Sequence, residues 1–519
     1  MKQGLDRGKM VKRIVANSAL NAAAGMSLLM IGFVCSIITA RLLGPEANGI
    51  IAFSLWLAAT AALIAELGTG ITLLRLLPQL RAQGYGDDAR RGFAVYLLRP
   101  VVLATIAITI LYGGIYWLAE HEHWATNTPV VLIFTGVLLF VQSIGSFTKN
   151  VMLGEQNVAA FFRISVVAGT LQFAGVLLGA IFFGIPGALC GYILGFIVQF
   201  FYSLGLLRSP ADLCGVAPRY LVTSSAMLSV QYIIESIFLT RVEIYFLERS
   251  HGVEMVGYYA AALSLANLAL QLPVQLTGSL VPYYSEKIHA NGHGRLPVEV
   301  FESVVRSLSY ITLPMSFGLA VIAPRLVTTV FGEAFSESGP MLTVLALVTP
   351  IYVFGLVCSQ YLLSLDRVRA RLVICFIGAV IMVGGALLVV PEFSGEGAAS
   401  VRFVVFLVMA ILTLRQLEFV GSLRGMYVTL VKVTIAATFC AGAAYGVLHV
   451  VPGLAGLVLS IGCGALVYVA ALRLFGAIPA EDLAAIETIV VRLPGPAAAL
   501  ANRLLGLLVA KPRVFEGSN

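Results

Sequence analysis

The sequence predicts an all-α integral membrane protein of about fourteen transmembrane helices, and three observations predict it. Of 519 residues, 59% are hydrophobic and 11% charged, with a mean hydropathy of +0.95, where soluble domains carry ~25% charged residues. The apolar residues fall into spans near the ~20 needed to cross ~30 Å of hydrocarbon as helix. Helix is the only open-chain solution where lipid satisfies no backbone group. Lysine and arginine gather in alternate connections, as the positive-inside rule requires.

Taken in order, the tail Met1–Ala16 is basic, with Lys2, Arg7, Lys9, Lys12 and Arg13. It leads into an apolar span too long for a cleavable signal. Spans are expected near 17–41, 47–67, 94–118, 129–152, 159–184, 187–207, 224–247, 255–281, 305–331, 339–364, 369–391, 398–419, 428–450 and 454–476. With the tail inside, the inner connections hold Arg81, Arg90, Arg91, Lys149, Arg208, Arg219, Lys287, Arg295, Arg367, Arg369, Arg371, Arg415 and Arg424. The outer ones hold little beyond Arg41 and Arg249, and read AEHEHWATN, GEAFSES and PEFSGEG. This asymmetry places both termini in the cytoplasm of a multi-pass chain. In the segment 477–519, Glu481 and Asp482 suit a helix N-terminus. Leu500, Leu504, Leu505 and Leu508 then form one face of an inner-surface amphipathic helix.

The chain also repeats itself. NGIIAFSLWLAATAALIAELG, from Asn48, follows RLLGPEA as VGYYAAALSLANLALQLP follows ERSHGVEM, with Gly49 opposite Gly257 at a shift of 208 residues. Further on, FTKNVMLGEQNVAAFFR resembles CSQYLLSLDRVRARLV, and Gly187 falls opposite Gly397 at a shift of 210. A shift so nearly constant predicts a duplicated six-span unit, 17–207 and 217–419, followed by the two further spans of 428–476.

Catalytic and metal chemistry find no footing. The seven cysteines are scattered, mostly inside apolar spans, without ligand spacing. No lysine precedes Ser or Thr in a phosphate-cradling loop, and GxSxG and HExxH are absent. AEHEHW, from Ala119, reads as an exposed outer loop rather than a metal site, and GYGDDARR as a solvated inner loop. The +7 net charge is spread between apolar spans, which excludes nucleic acid as a partner. No cofactor is expected.

The informative residues are charges within the spans, where a charge costs about 2.5–3.5 kcal/mol at a helix centre. Arg99, Arg163, Arg325, Arg402 and Arg473 lie near span ends, within snorkelling reach. Glu235 lies near the middle of its span, and Arg241 is too deep to snorkel inward. On a continuous helix Gln231 and Glu235 share a face, and Arg241 projects about 120° away from Glu235. Two readings stand: these groups line a polar cavity, with Arg241 attracting an anion, or they form ion pairs between helices. Glu243 is a further candidate nearer the outer end. Glu66 and Arg75 flank GTGIT, where Gly68 and Gly70 permit a bend into a short helix TLLRLLPQL. Arg75 there meets an anionic head group or simply snorkels.

At these residues a resemblance emerges. ARLLGPEANGIIAFSLWLAATAALIAELGTGITLLRLLP is similar to the opening hairpin of polysaccharide transporters, the Wzx-type oligosaccharide-lipid flippases of the multidrug/oligosaccharidyl-lipid/polysaccharide exporter (MOP) superfamily. TRVEIYFLERSHGVEMVGYYAAALSLANLALQLP is similar to that family's entry into its second half. The resemblance implies two pseudo-symmetric six-helix bundles facing each other as a V, plus two C-terminal helices. It implies carriage of undecaprenyl-pyrophosphate-linked glycans from the cytoplasmic to the outer leaflet of the inner membrane, for O-antigen, capsule or exopolysaccharide. Partners would be that lipid-linked glycan, membrane lipids and glycan polymerase or export machinery. The family's Arg-x-Asp pattern is Arg241-Val242-Glu243 here, and the glycine usual just after that span is delayed to Gly252. The role of Glu243 therefore stays open. The first span offers only Asn17, Ser18, Asn21 and Ser27 before Arg41, unlike the charged first span of the lipid II branch.

Such a substrate fits the physics. A sugar pyrophosphate does not cross hydrocarbon unaided. An inside-negative potential favours outward movement of an anion by roughly 2.3 kcal/mol per charge per 100 mV. Coupling to H+, Na+ or the potential alone stays open. The alternatives are a cation-coupled drug antiporter of the same superfamily and a membrane enzyme of lipid-linked glycan assembly. The antiporter would need more deep carboxylates than Glu235, and the enzyme a long outer loop.

Overall fold

The structure is a computed structural model and describes residues 2–118, 128–277, 280–290, 296–419, 423–479 and Asp482. The AEHEHW motif and the face carrying Leu500–Leu508 lie outside the described residues. The helices in chain order are α1 (Lys2–Ala65), α2 (Thr69–Ala82), α3 (Asp87–Leu118), α4 (Pro129–Gly154), α5 (Val158–Leu206), α6 (Pro218–Ile233), α7 (Val242–Thr277), α8 (Leu280–Ala290), α9 (Val298–Phe331), α10 (Ser338–Ser364), α11 (Val368–Arg415), α12 (Arg424–Val450) and α13 (Gly453–Leu474). Among the described residues, ten helical stretches are long and apolar enough to cross a membrane. Four of the ten are doubled by a single non-helical residue: Gly44 in α1, Gly184 in α5, Gly252 in α7 and Ser394 in α11. The ten stretches, four of them double, make the fourteen segments expected.

Each of these residues reverses the chain. In α5 a Cβ on Gly179 would strike the Gly187 carbonyl, and one on Gly191 would strike Val176, so the arms lie backbone to backbone. The i, i+4 spacing of Gly175 and Gly179 against Gly187 and Gly191 is what allows this approach. In α1 the Thr39 hydroxyl donates to Asn48 Oδ1 across the turn, at 3.2 Å. The turn residues need positive φ, which glycine supplies without a Cβ clash. Pro45 and Pro186 then open the second arms, where a missing N–H costs nothing.

The turns also display the repeat. Gly44 (φ 83°, ψ 180°) and Gly252 (φ 80°, ψ −178°) share one conformation 208 residues apart. Gly184 (φ 61°, ψ −135°) and Ser394 (φ 48°, ψ −134°) share another 210 residues apart. Left-handed Gln156 (φ 56°), after α4, matches Asp366 (φ 57°), after α10. Short α2 and α8 follow the second arms of α1 and α7 in the same order.

The described chain forms two compact units, Met1–Leu268 with Cys375–Val401, and Ala269–Ile374 with Arg402–Asn519. In the first, Ile51, Ala58, Leu138, Val176 and Leu189 are buried between α1, α4 and α5, and Leu73, Leu77, Phe93, Leu98 and Phe147 between α2, α3 and α4. In the second, Tyr284, Phe301 and Tyr361 form an aromatic core, and α12 and α13 bury Val433, Ala437 and Leu472 beside α9. Outward faces stay apolar, with Trp117, Leu118, Phe183 and Leu388 among the exposed side chains. Water would penalise such surface, and lipid does not.

Three sequence expectations need correction. GYGDDARR is solvated only in part: Gly84, Gly86, Asp87 and Asp88 are exposed, but Asp87 and Asp88 start α3, and buried Arg90 bonds Glu155 (3.0 Å), Asp87 and the Tyr85 carbonyl. Arg325 does not snorkel, for it donates to the carbonyls of Leu448 (2.9 Å) and Val451 (3.0 Å) at the end of α12. Arg402 is buried, with its guanidinium 5.9 Å from the Phe406 ring. Asp482 takes both parallel hydrogen bonds of the Arg306 fork, at 2.9 and 3.0 Å, and one from Tyr310. Glu302 completes that buried network at 3.5 Å from Arg306, and accepts from the Met426 N–H at the start of α12.

Candidate functional site

The span that carries Glu235 and Arg241 is not one continuous α-helix. α6 ends at Ile233, and Ile234–Phe238 form a π-helical turn closed by Leu239 N–H donating to Ile234 O at 3.3 Å. Three turn residues follow before α7 begins at Val242. Such π turns inside helices often accompany functional sites. The wide turn shifts the phase of the helix, so the 120° reckoned between Glu235 and Arg241 does not hold. The break supplies polar side chains in mid-span: Glu235, Ser236, Thr240 and Arg241. Thr240 turns its hydroxyl onto the Ser236 carbonyl at 2.7 Å.

Arg241 lies eleven residues from the Gly252 turn, about 16 Å at ~1.5 Å per helical residue, which puts it near mid-bilayer depth. Its side chain is partly buried, and no carboxylate lies within ion-pair distance among the described residues. Its electrostatic neighbour is the Tyr232 phenol, on the last turn of α6. Tyr232 also lies within electrostatic range of Glu66 and Glu235.

Glu66 lies where α1 hands over to α2. Leu67 (φ 49°) and Gly68 (φ 68°) are both left-handed there. The Glu66 carboxylate accepts from Ser146 (2.8 Å) and Asn150 (3.4 Å), both on α4. A Cβ at Gly70 would meet the Asn150 side-chain amide, so a larger residue there would displace Asn150. Glu235 accepts from the Cys375 thiol at 3.4 Å. Glu243 is placed otherwise: it is fully buried and accepts from the Tyr259 hydroxyl across the α7 turn, at 3.2 Å. Arg75 is exposed on α2, and Gln231 lies in α6 with its side chain outside the described residues.

Tyr232 is within electrostatic range of Glu66, Glu235 and Arg241, while Glu243 is buried against Tyr259 and Arg75 is exposed on α2. Tyr232, Ser236, Ser146 and Asn150 escaped the sequence reading, because uncharged polar residues in apolar spans give no signal of their own. Among the described residues no group of three or more His, Cys, Asp or Glu side chains is placed to hold a metal.

The profile of the polysaccharide biosynthesis protein family matches residues 38–340, more than half of the 519. Among solved structures, the chain is similar to the lipid II flippase MurJ in an inward closed conformation. The TM-score is 0.69 at 13% identity, over 88% of this chain and 98% of that one. It is similar to an inward-facing multidrug resistance MATE family transporter of the MOP superfamily, with a TM-score of 0.60 at 16% identity, over 76% and 96% of the two chains. A MOP superfamily transporter from Pyrococcus furiosus gives 0.56 at 18%, over 78% and 94%. At such identities the likeness is one of fold. No curated protein matches the chain. The family match and the shared fold agree with the turns and spans above: this chain belongs to the polysaccharide biosynthesis protein family and has the fold of the MOP superfamily transporters.

Proposed function

We propose that this protein is a flippase that carries undecaprenyl-pyrophosphate-linked oligosaccharide from the cytoplasmic to the outer leaflet of the inner membrane. The observation that carries the reading is Arg241, a partly buried cation in mid-span with no carboxylate partner among the described residues. An arginine held there for structure would be expected to pair, since an unpaired intramembrane charge is costly. Its fork matches a phosphate geometrically and bonds it bidentately. Tyr232, whose phenol interacts with it electrostatically, adds a neutral donor. The family assignment and the likeness to a lipid II flippase support the same substrate class. Alternating exposure of the site to the two faces, with the lipid tail left in the bilayer, would drive movement without ATP, favoured by the membrane potential.

Deletion of the gene and complementation with Arg241→Ala tests this. The expected result is accumulation of lipid-linked glycan in the cytoplasmic leaflet, with protein abundance unchanged. Arg241→Lys keeps the charge and loses the fork, so it should retain partial export. Full export by Arg241→Ala would remove the proposed site.

A further inference from the structure

Helices α9 and α12 run side by side in the same direction. Glu302 and the Met426 N–H join them near their starts, and Arg325 and the Leu448 carbonyl near their ends. Between those ends lies a groove of about 360 Å³, lined by Val321, Pro324 and Arg325 of α9 and by Tyr445, Leu448 and His449 of α12. The chain itself fixes the depth of this groove. α12 ends at Val450 and α13 begins at Gly453, and a hairpin of membrane helices turns at the surface of the hydrocarbon. Arg325 reaches the carbonyls of Leu448 (2.9 Å) and Val451 (3.0 Å), so its guanidinium lies at the level of that turn. Val450 and Leu454 beside the turn are exposed and apolar, as suits the boundary between acyl chains and head groups. With the termini cytoplasmic, as the loop charges predict, the boundary is that of the outer leaflet.

Both hydrogen bonds of Arg325 leave from Nη1, and no described residue accepts from its Nε or Nη2. Among the described residues no carboxylate lies within ion-pair distance of it. The two carbonyls satisfy donors without cancelling the charge, so the guanidinium keeps an open cationic edge on the groove. His449 supplies the complement. Its Nδ1 lies 3.2 Å from the Tyr445 carbonyl, which only accepts, so Nδ1 bears the hydrogen and Nε2 of the neutral ring is an acceptor. The Tyr445 and His449 rings touch, with centroids 4.2 Å apart, which steadies that imidazole. The remaining walls, Val321, Pro324 and Leu448, are apolar. A phosphodiester with a hydrogen-bond donor on one side and acyl chains on the other matches all three features. We propose that the groove is a phospholipid site: Arg325 binds the phosphate through Nε and Nη2, and His449 Nε2 accepts from the ethanolamine or glycerol of the head group. The acyl chains continue into the bilayer. Such a lipid touches α9 and α12 together and so fastens the α12–α13 pair to α9. The site is separate from the charges around Arg241 and does not rest on the flippase reading.

The test uses the full chain, stripped of lipid in detergent. Native mass spectrometry counts bound lipid, and thermal unfolding reads its effect. The probes are phosphatidylethanolamine, phosphatidylglycerol, phosphatidylcholine, which lacks the donor, and inorganic phosphate. The wild type should hold the first two lipids about tenfold more tightly than phosphatidylcholine. His449→Phe keeps the ring contact and removes Nε2, so it should erase that preference and leave the melting temperature of the lipid-free protein unchanged. Arg325→Gln keeps an amide to cap α12 and loses the charge, so it should weaken all three lipids about tenfold per folded molecule. Arg325→Lys, with the charge but not the fork, should fall between. If Arg325→Gln lowers only the melting temperature of the lipid-free protein and binds lipid as the wild type does, the arginine is a helix cap and the site is overturned. A head-group preference that survives His449→Phe, or is missing in the wild type, overturns it too. Stabilisation by inorganic phosphate equal to that by lipid would make the groove a free-anion site and overturn the phospholipid.

Discussion

Gly49 and Gly257 meet backbone to backbone. A Cβ on Gly49 would strike the Val253 carbonyl, and one on Gly257 would strike the Pro45 carbonyl. Both glycines and both struck residues are 208 positions apart, so the contact maps onto itself when the repeats are exchanged. Asn48 seals it by donating to the Gly257 carbonyl at 3.1 Å. Nearby, Trp56 and Tyr245 stack with ring centroids 6.4 Å apart. The second arms of α1 and α7 are thereby joined just beyond their turns, through the closest approach that helices allow.

Gly49→Leu and Gly257→Leu should each destabilise the protein by about 1–3 kcal/mol through overpacking. Because they break one contact, the double variant should lose less than the sum of the two. Melting in detergent, followed by tryptophan fluorescence, measures this; strict additivity would show that the helices do not touch there.

The turns give predictions of opposite sign. Gly252, at φ 80° and ψ −178°, occupies a region closed to other residues, so Gly252→Ala should cost about 1–3 kcal/mol. Ser394 holds the matching role in α11 at φ 48°, with a Cβ. Left-handed strain of about 1–2 kcal/mol exceeds the ~0.5–1 kcal/mol entropic cost of glycine, so Ser394→Gly should raise the melting temperature. A lowered value would show that the serine side chain holds the turn.

The spans, the breaks RLLGPEA and ERSHGVEM that hold Gly44 and Gly252, and the repeat were legible because each leaves a local mark: an apolar run, a glycine beside a proline or charge, a constant spacing. Ser394 was not, since its serine carries no sign of positive φ. Nor was the π turn at Glu235, which depends on how α6 and α7 are packed. Arg90 and Arg325 looked like ordinary loop or end charges, because Glu155 and the Leu448 carbonyl reach them only in the folded chain. Of the site, the charges showed and their partners did not. Glu66 gains meaning from Ser146 and Asn150, some eighty residues away.

Orientation follows from charge alone and is directly measurable. Gln83, after α2, and Glu392, beside the α11 turn, are both exposed. In a cysteine-free background, Glu392→Cys should react with an impermeant maleimide on intact cells, and Gln83→Cys only after permeabilisation. The reverse pattern would invert the chain and with it the direction of transport.

The buried network at the start of α9 should make stability depend on who keeps a partner. Arg306 lies between Glu302 and Asp482, and all three are at most 8% exposed. Arg306→Met leaves two buried carboxylates with no cation, and breaking such a pair typically costs about 3–5 kcal/mol. Asp482→Asn is milder, because Arg306 keeps Glu302 and an amide oxygen still accepts from the fork. Asp482→Leu with Arg306→Met should recover part of the loss, since an apolar pair replaces one of the stranded charges. Thermal unfolding of the four proteins forms the test. The expected order, most stable first, is wild type, Asp482→Asn, the double variant, Arg306→Met. If Arg306→Met proves no worse than Asp482→Asn, the arginine does not neutralise both acids, and the segment after α13 is held to α9 by packing rather than by charge.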